Sequence, residues 1–252
     1  MIEYLFKNAE FSKIFRFISP GFLRVISPTT LIGVAHQLKT NRKDQATWLS
    51  LAQRYSTMTS LPPIFIQIDA VPNAGFRSKT QLSEAISLGT RVLTLFFHQI
   101  LTQSTWILDF RSEAFQGEMP SGLKWQPQPY FYEVSPKFLD GIRALYLGFY
   151  TSDDRLFDQA LVQLGLSGAR QSLRNHFGGG DQTKIQFQLK LFQNTFTDVF
   201  EACAKTGVKL QPDFFVLGLS LLSLYENLET LSVSFNVRAC FEQALQMSRE
   251  PT

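Results

Sequence analysis

The chain is poor in the residues that carry most enzyme chemistry. Its 252 residues include two cysteines, four methionines and three histidines. Cys203 and Cys240 stand in helical apolar patterns, with no CxxC and no Cys/His cluster at ligand spacing, so a zinc site is unsupported. Their surroundings favour two buried thiols in a reducing compartment, with a single disulfide as the alternative. Charged residues make up 18% and hydrophobic ones 44%, which excludes disorder, a collagenous chain and a charged coiled coil. A net charge of +3 is too small to argue for nucleic acid.

Long hydrophobic runs are missing too. The longest charge-free stretch, 92–108, contains His98, Gln99, Thr102 and Gln103. The more apolar run 214–225 falls well short of the roughly 20 residues a spanning helix needs. Glu3, Lys7, Glu10 and Lys13 interrupt any signal-peptide core. These absences predict a cytoplasmic chain that is not integral to a membrane.

What is present is phenylalanine and helical periodicity. Phe supplies 24 of the residues, and a chain this long buries about 70% of its unfolded surface without a metal or disulfide staple. Phe11, Phe15, Ile18, Phe22 and Val25 recur at steps of four and three, with Lys13, Arg16 and Arg24 off the stripe. Pro20-Gly21 divides that stripe into two short pieces. Such a pair either lies on an anionic bilayer or caps the core of its own domain. Residues 1–100 hold 11 basic and 5 acidic side chains, a balance of +6, and the rest hold 13 and 16, a balance of −3. The basic front end favours an anionic surface, unless it is simply a solvated helix face.

Further along, helical spacing covers 29–55, with a turn at Thr40-Asn41-Arg42-Lys43-Asp44, and 80–105, where Ile86, Val92 or Leu93, Phe96 or Phe97 and Ile100 share a side. IFIQI at 64–68 reads as a strand or a buried helix segment. Residues 106–134 break the helical pattern, and Pro120-Ser121-Gly122 predicts a turn between two segments that pair as a small hairpin. From Ser135-Pro136 onward the stripes are Leu139, Ile142, Leu145 or Tyr146, Phe149; then Leu156, Ala160, Leu164; then Ile185, Leu189, Phe192, Phe196, Val199, Cys203; then Leu217, Leu221, Leu224, Leu228, Leu231. A shorter stripe holds Val237, Cys240, Phe241 and Leu245. Asp153 with Asp154 predicts a helix start, Gly165 and Gly207 predict stops, and Gly178-Gly179-Gly180 predicts a loop. The expected fold is mainly α, a single helical domain with at most a small β-hairpin near 106–134.

No catalytic signature is intact. Lys184 is preceded by Thr183 and followed by Ile185, so the glycines before it do not make a phosphate loop. His36, His98 and His176 lie on separate helices or helix ends, and neither GxSxG nor HExxH occurs. Asp109 with Glu113 is a candidate carboxylate pair in the irregular region, with a plain turn or hairpin carboxylate as the competing reading of Asp109.

The order of features from Leu88 onward resembles the ABC1/UbiB (AarF-like) atypical kinase family. The tail, 205–236, carries Leu210, Pro212, Leu217, Leu221, Leu224, Glu226, Leu231, Phe235 and Asn236 where that family's conserved end has its marks. Residues 139–166 resemble the helix, acidic turn and LGL ending that follow the family's metal-binding motif, and 61–78 echoes its KxGQ segment. The departures are as informative. Gln67 stands at the lysine of KxGQ and Asp69-Ala70 at its Gly-Gln. No room remains for a nucleotide-binding N-lobe. The catalytic-loop HxDxHPGN falls on 108–115 and keeps at most Asp109, and the metal-binding DFG falls near Gln128-Pro129-Tyr130, where no aspartate stands.

The spacing predicts amphipathic N-terminal helices over residues 1–56, and the resemblance implies 57–252 as a reduced, degenerate kinase C-lobe. It implies a pseudoenzyme with no cofactor and no metal, with Asp109 as the residue left at the catalytic-loop position. The expected role is a non-catalytic accessory or regulatory factor related to lipid or isoprenoid-quinone (ubiquinone) metabolism. It would lie peripherally on a membrane through Phe11, Phe15, Ile18, Phe22, Lys13 and Arg16. The expected partners are an anionic membrane surface or lipid, or a protein, and not nucleic acid. The alternatives are a protein-interaction module in an unrelated assembly, or an unusual ATP-dependent enzyme using Asp109.

Overall fold

Prolines or polar caps open several of the helices, and glycine or a left-handed serine closes or follows four of them. The structure is a computed structural model that describes residues 20–59, 66–68, 82–116, 123–177 and 184–249. Its α-helices are α1 (Pro20–Val25), α2 (Pro28–Asn41), α3 (Gln45–Thr59), α4 (Leu82–Thr102), α5 (Pro136–Tyr150), α6 (Asp154–Leu164), α7 (Arg170–Phe177), α8 (Leu189–Lys205), α9 (Pro212–Leu231) and α10 (Val237–Met247). The strands are short: β1 (Ile66–Ile68), β2 (Thr105–Ile107), β3 (Phe115–Gln116), β4 (Leu123–Trp125), β5 (Phe131–Glu133), β6 (Ile185–Gln186) and β7 (Ser234–Phe235). The protein is mainly α, as its periodicity predicts.

The chain packs as two compact units, each assembled from separated segments. Among the described residues, one comprises 20–37, 134–177 and 189–222, and the other 38–59, 66–68, 82–116, 123–133, 184–188 and 223–249. The division expected at residue 56 falls inside α3.

In the first unit, α5 begins with Pro136 at its first turn, where a missing N–H costs nothing. Phe138, Ile142, Leu145 and Phe149 turn into the core. Gly148 lets α6 approach closely, since a Cβ there would stand 2.5 Å from the Phe157 amide nitrogen. Asp153 caps α6 by accepting from the Leu156 N–H at 2.9 Å. Gly165 ends α6 at φ +74, and Gly207 follows α8 at φ +69. The aromatic stripe of α8 meets its neighbours ring to ring, Phe196 with Phe192 at 4.4 Å and with Phe214 of α9 at 6.0 Å. Asp213 ties two helix starts together, accepting the Ser135 N–H at 2.8 Å and the Ser135 hydroxyl at 3.0 Å.

In the second unit, α4 lies along α10, with Phe97 edge-on to Phe241 at 5.4 Å and Thr94 donating to Gln243 at 3.2 Å. The irregular region holds more strand than one hairpin. β2 pairs antiparallel with β5, β3 pairs antiparallel with β4, and β1 adds parallel to β4. The described part of the IFIQI run, Ile66–Ile68, is therefore a strand. A further antiparallel pair, β6 with β7, sets Ile185 opposite Phe235. Ile185 thus leaves the helical stripe that its spacing suggests. Ile86 also departs from expectation, being exposed near the start of α4.

Helix α9 is 20 residues long and apolar enough to cross a membrane by length and composition, and 61% of its apolar window is buried inside the protein. Its first half belongs to one unit and its second half to the other. Ser220 and Asn227 are fully buried within it, which fits a core helix.

Candidate functional site

Asp109 is the residue to which the sequence assigns the most chemistry, and the second unit builds a dense frame around it. The backbone leaves β2 at Ile107, and Leu108 prolongs the pairing by donating its N–H to the Tyr130 carbonyl at 2.9 Å. Phe110 is fully buried and sits against Phe96 and Trp125 at 5.6 and 5.2 Å. Side chains from the second half of α9 hold this extended stretch. The Ser223 hydroxyl donates to the Leu108 carbonyl and accepts from the Phe110 N–H, both at 2.9 Å, while the Asn227 amide donates to the Phe110 carbonyl at 2.8 Å. An extended backbone with no strand on one side needs such partners for its polar groups.

With the backbone fixed, the Asp109 carboxylate is fixed too. It is 4% exposed. One oxygen takes the Arg111 Nε at 2.7 Å and the Arg111 backbone N–H at 3.3 Å. The other takes Arg111 Nη2 at 3.0 Å and the Gln128 N–H at 2.8 Å. The Asp109 carbonyl accepts the Trp125 indole N–H at 3.0 Å. The guanidinium fork matches both carboxylate oxygens. A general base or metal ligand needs a lone pair aimed at open space, and here both oxygens are spent on the fold. Glu113 is exposed on the 3₁₀ turn Ser112–Ala114, so it makes no buried carboxylate pair with Asp109.

A second polar lock in this unit went unread in the sequence. The Tyr55 hydroxyl donates to Gln99 Oε1 at 2.6 Å, and the same oxygen accepts the Ile107 N–H at 2.9 Å. Burial pushes the Tyr55 hydroxyl well above the ordinary tyrosine pKa. Asn41 and Arg42, at the turn between α2 and α3, donate to the Phe131 carbonyl at 2.9 Å and to the Tyr130 hydroxyl at 2.8 Å. Trp48 stacks on Phe131 at 6.1 Å. Gln99 within the largely apolar 92–101 run is the available signal for the first of these contacts, and it does not name a partner; Asn41 and Arg42 stand in a polar turn that announces none.

The remaining candidates scatter. His36 is exposed, His98 is buried on α4, and His176 packs among Phe177, Phe192 and Phe196. Burial lowers the His98 pKa and brings that of His176 down to about 4. Cys203 and Cys240 are buried free thiols, both pushed up to about 11 by burial, which leaves them protonated and unreactive at neutral pH. Among the described residues no group of three His, Cys, Asp or Glu side chains is placed to hold a metal. Gly178-Gly179-Gly180 lies outside the described residues, and Lys184 is exposed. An open groove of about 390 Å³ in the first unit is lined by Gly168, Ser172, Asp198, Glu201 and Lys205 among others, and shares no residue with the Asp109 frame.

Of the expected membrane-contact residues, Phe11, Lys13, Phe15, Arg16 and Ile18 lie outside the described residues. Phe22 is a correction. It is 4% exposed, edge-on to Phe200 at 4.9 Å and close to Phe215 at 6.0 Å, so it fills the core of the first unit and faces no membrane. The tail residues take structural parts. Pro212 opens α9, Leu217, Leu221 and Leu224 are buried, Phe235 fills the core, and the Asn236 side chain caps α10 by accepting the Ala239 N–H at 3.1 Å. No protein-family model matches the chain, and no curated protein is detectably similar to it.

Proposed function

We propose that this chain is a non-catalytic helical protein of the ABC1/UbiB kind, acting as an accessory factor at an anionic membrane surface in isoprenoid-quinone (ubiquinone-type) metabolism. The observation that carries the non-catalytic part is the saturated Asp109. The resemblance assigns the catalytic loop to 108–115 and the metal-binding motif to the neighbourhood of Gln128. Those two stretches meet in the bond from the Gln128 N–H to the Asp109 carboxylate. What neutralises that carboxylate is Arg111.

The magnesium nucleotide that the resemblance brings with it does not fit these residues. Phosphoryl transfer uses a phosphate-positioning lysine, metal-holding carboxylate and amide groups, and a base. Asp109 offers no free oxygen, and the metal-motif position supplies backbone and glutamine instead of aspartate. The tail residues are kept as helix starts, caps and core, which supports a retained scaffold without its chemistry.

Thermal unfolding with and without Mg-ATP tests the catalytic half. A true binder gains about 2.7 kcal/mol at a hundredfold excess over its Kd, and no gain is expected here. A Mg-ATP stabilisation lost in Asp109→Asn would overturn the reading and favour an ATP-dependent enzyme. Mass spectrometry of co-purifying lipids and proteins tests the other half. Isoprenoid or anionic lipid is the expected result, and a stoichiometric protein partner with no lipid would favour an interaction module.

A further inference from the structure

Helix α1 and the residue that follows it bury three apolar side chains and show a fourth to solvent. Phe22, Val25 and Ile26 are buried, whereas Leu23 is 47% exposed. The helix is fastened at its far end, where the Leu210 N–H donates to the Val25 carbonyl at 3.0 Å. Arg24 follows Leu23 and is exposed. Lys209, also exposed, lies 185 residues away in sequence and donates its Nζ to the Arg24 carbonyl. That bond uses one of the ammonium's three N–H groups and leaves the charge outside. Neither Arg24 nor Lys209 forms an ion pair among the described residues.

A single exposed leucine is ordinary. An exposed leucine followed by an exposed arginine whose carbonyl is bound by a second exposed cation is a narrower arrangement, and α1 follows in sequence the basic, phenylalanine-rich segment before Pro20. Apolar side chain and positive charge on one edge complement an anionic bilayer, which offers an acyl boundary under a layer of phosphates.

We infer that the edge formed by Leu23, Arg24 and Lys209 is where the folded first unit rests on an anionic membrane, Leu23 entering the acyl boundary and the two cations meeting lipid phosphates. This rests on the membrane reading above and deepens it. Phe22 leaves the contact set, while Leu23 and Lys209 enter it, so the surface is built from two chain segments and fixes how the unit faces the bilayer.

Flotation of the full chain with phosphatidylserine/phosphatidylcholine vesicles, and with phosphatidylcholine alone, tests it. Each lost cation lowers binding about fivefold at low salt, and with the leucine the loss reaches on the order of a hundredfold. Leu23→Ser/Arg24→Gln/Lys209→Gln is therefore expected to release the protein, and Gln at 209 keeps a donor for the Arg24 carbonyl. Lys137→Gln/Lys190→Gln makes the same charge change at exposed positions on α5 and α8 and is expected to lose no more than about threefold. If the triple variant melts early, Arg24→Gln alone carries the comparison, with a fivefold loss expected. Wild-type binding by the triple variant, with release only in Phe11→Asp/Phe15→Asp, would overturn this edge and leave the membrane reading standing. Equal binding to neutral vesicles, or equal losses in the control pair, would also overturn it. No binding by the wild-type chain would overturn both readings.

Discussion

The edge of the Phe235 ring stands where a Cβ on Gly89 would be, with Cε1 2.1 Å and Cζ 2.3 Å from that position. Phe235 is 1% exposed and is also packed against Phe187 at 6.0 Å, so the ring has little room to yield. Gly89→Ala is expected to destabilise the protein by about 1–3 kcal/mol through overpacking, less up to about 1 kcal/mol of helix propensity recovered. Urea unfolding reads this as a lower midpoint at constant slope. Adding Phe235→Leu should make the Gly89→Ala step cheaper than it is in the wild type. An unchanged cost would show that the ring is not the obstacle.

Asp109 is predicted to matter for stability. Asp109→Ala strands the Gln128 N–H and leaves Arg111 without its bidentate partner. Removing one member of a buried pair costs about 3–5 kcal/mol, and because Arg111 is a quarter exposed and can turn to water, about 2–4 kcal/mol is expected. Asp109→Ala/Arg111→Ala should recover only part of this, since the Gln128 N–H stays unpaired. A melt indistinguishable from wild type in Asp109→Ala would contradict the frame described here.

Ser152 closes α5 in a left-handed conformation, φ 60, where glycine is the usual residue. The Asp153 N–H reaches back to the Gly148 carbonyl at 2.8 Å and the Ser152 N–H to the Phe149 carbonyl at 3.2 Å, the two bonds of a Schellman ending. Ser152→Gly should keep both bonds and relieve the strain, raising stability by about 0.5–1 kcal/mol after the entropy of the freer unfolded chain is counted. Differential scanning calorimetry would show it as a small rise in Tm. A fall would mean that the serine side chain contributes more than its backbone costs.

His176 gives the fold an acid-side weakness. Burial among Phe177, Phe192 and Phe196 lowers its pKa from 6.5 to about 4, so the folded protein favours the neutral ring. Its stabilising share is therefore complete above pH 6.5 and is lost as pH falls from there toward 4. His176→Phe should flatten this part of the stability curve, compared by urea midpoints at pH 7 and at pH 4.5. Equal slopes in the two proteins would remove His176 as the cause.

Most helix ends were legible because their chemistry is local. Pro136, Asp153, Gly165 and Gly207 act within a turn of themselves, and the stripes at 139–149 and 217–231 need only 3.6-residue spacing. The errors came from contacts that join distant segments. Ile185 keeps perfect helical phase with Phe192 and Phe196 yet pairs with Phe235, far along the chain. Phe22 reads equally well as a membrane anchor or a core residue until Phe200 and Phe215 are placed beside it. Asp109 was recognisable as a turn carboxylate, but half of its partners are backbone N–H groups, which no residue type announces. The bond from Lys209 to the Arg24 carbonyl is illegible for the same reason.

The alternation of segments between the two units sets an order on synthesis. The first unit needs residues up to 222, and the second needs β7 and α10 beyond that. On a ribosome, α1 emerges long before the Leu210 N–H that fastens it, and β6 waits for β7. During that interval the phenylalanine faces of α1, α4 and α8 have no finished core to enter. Neither unit can close before its last segment is made, so apolar surface stays open for longer than in a protein whose units close in sequence order.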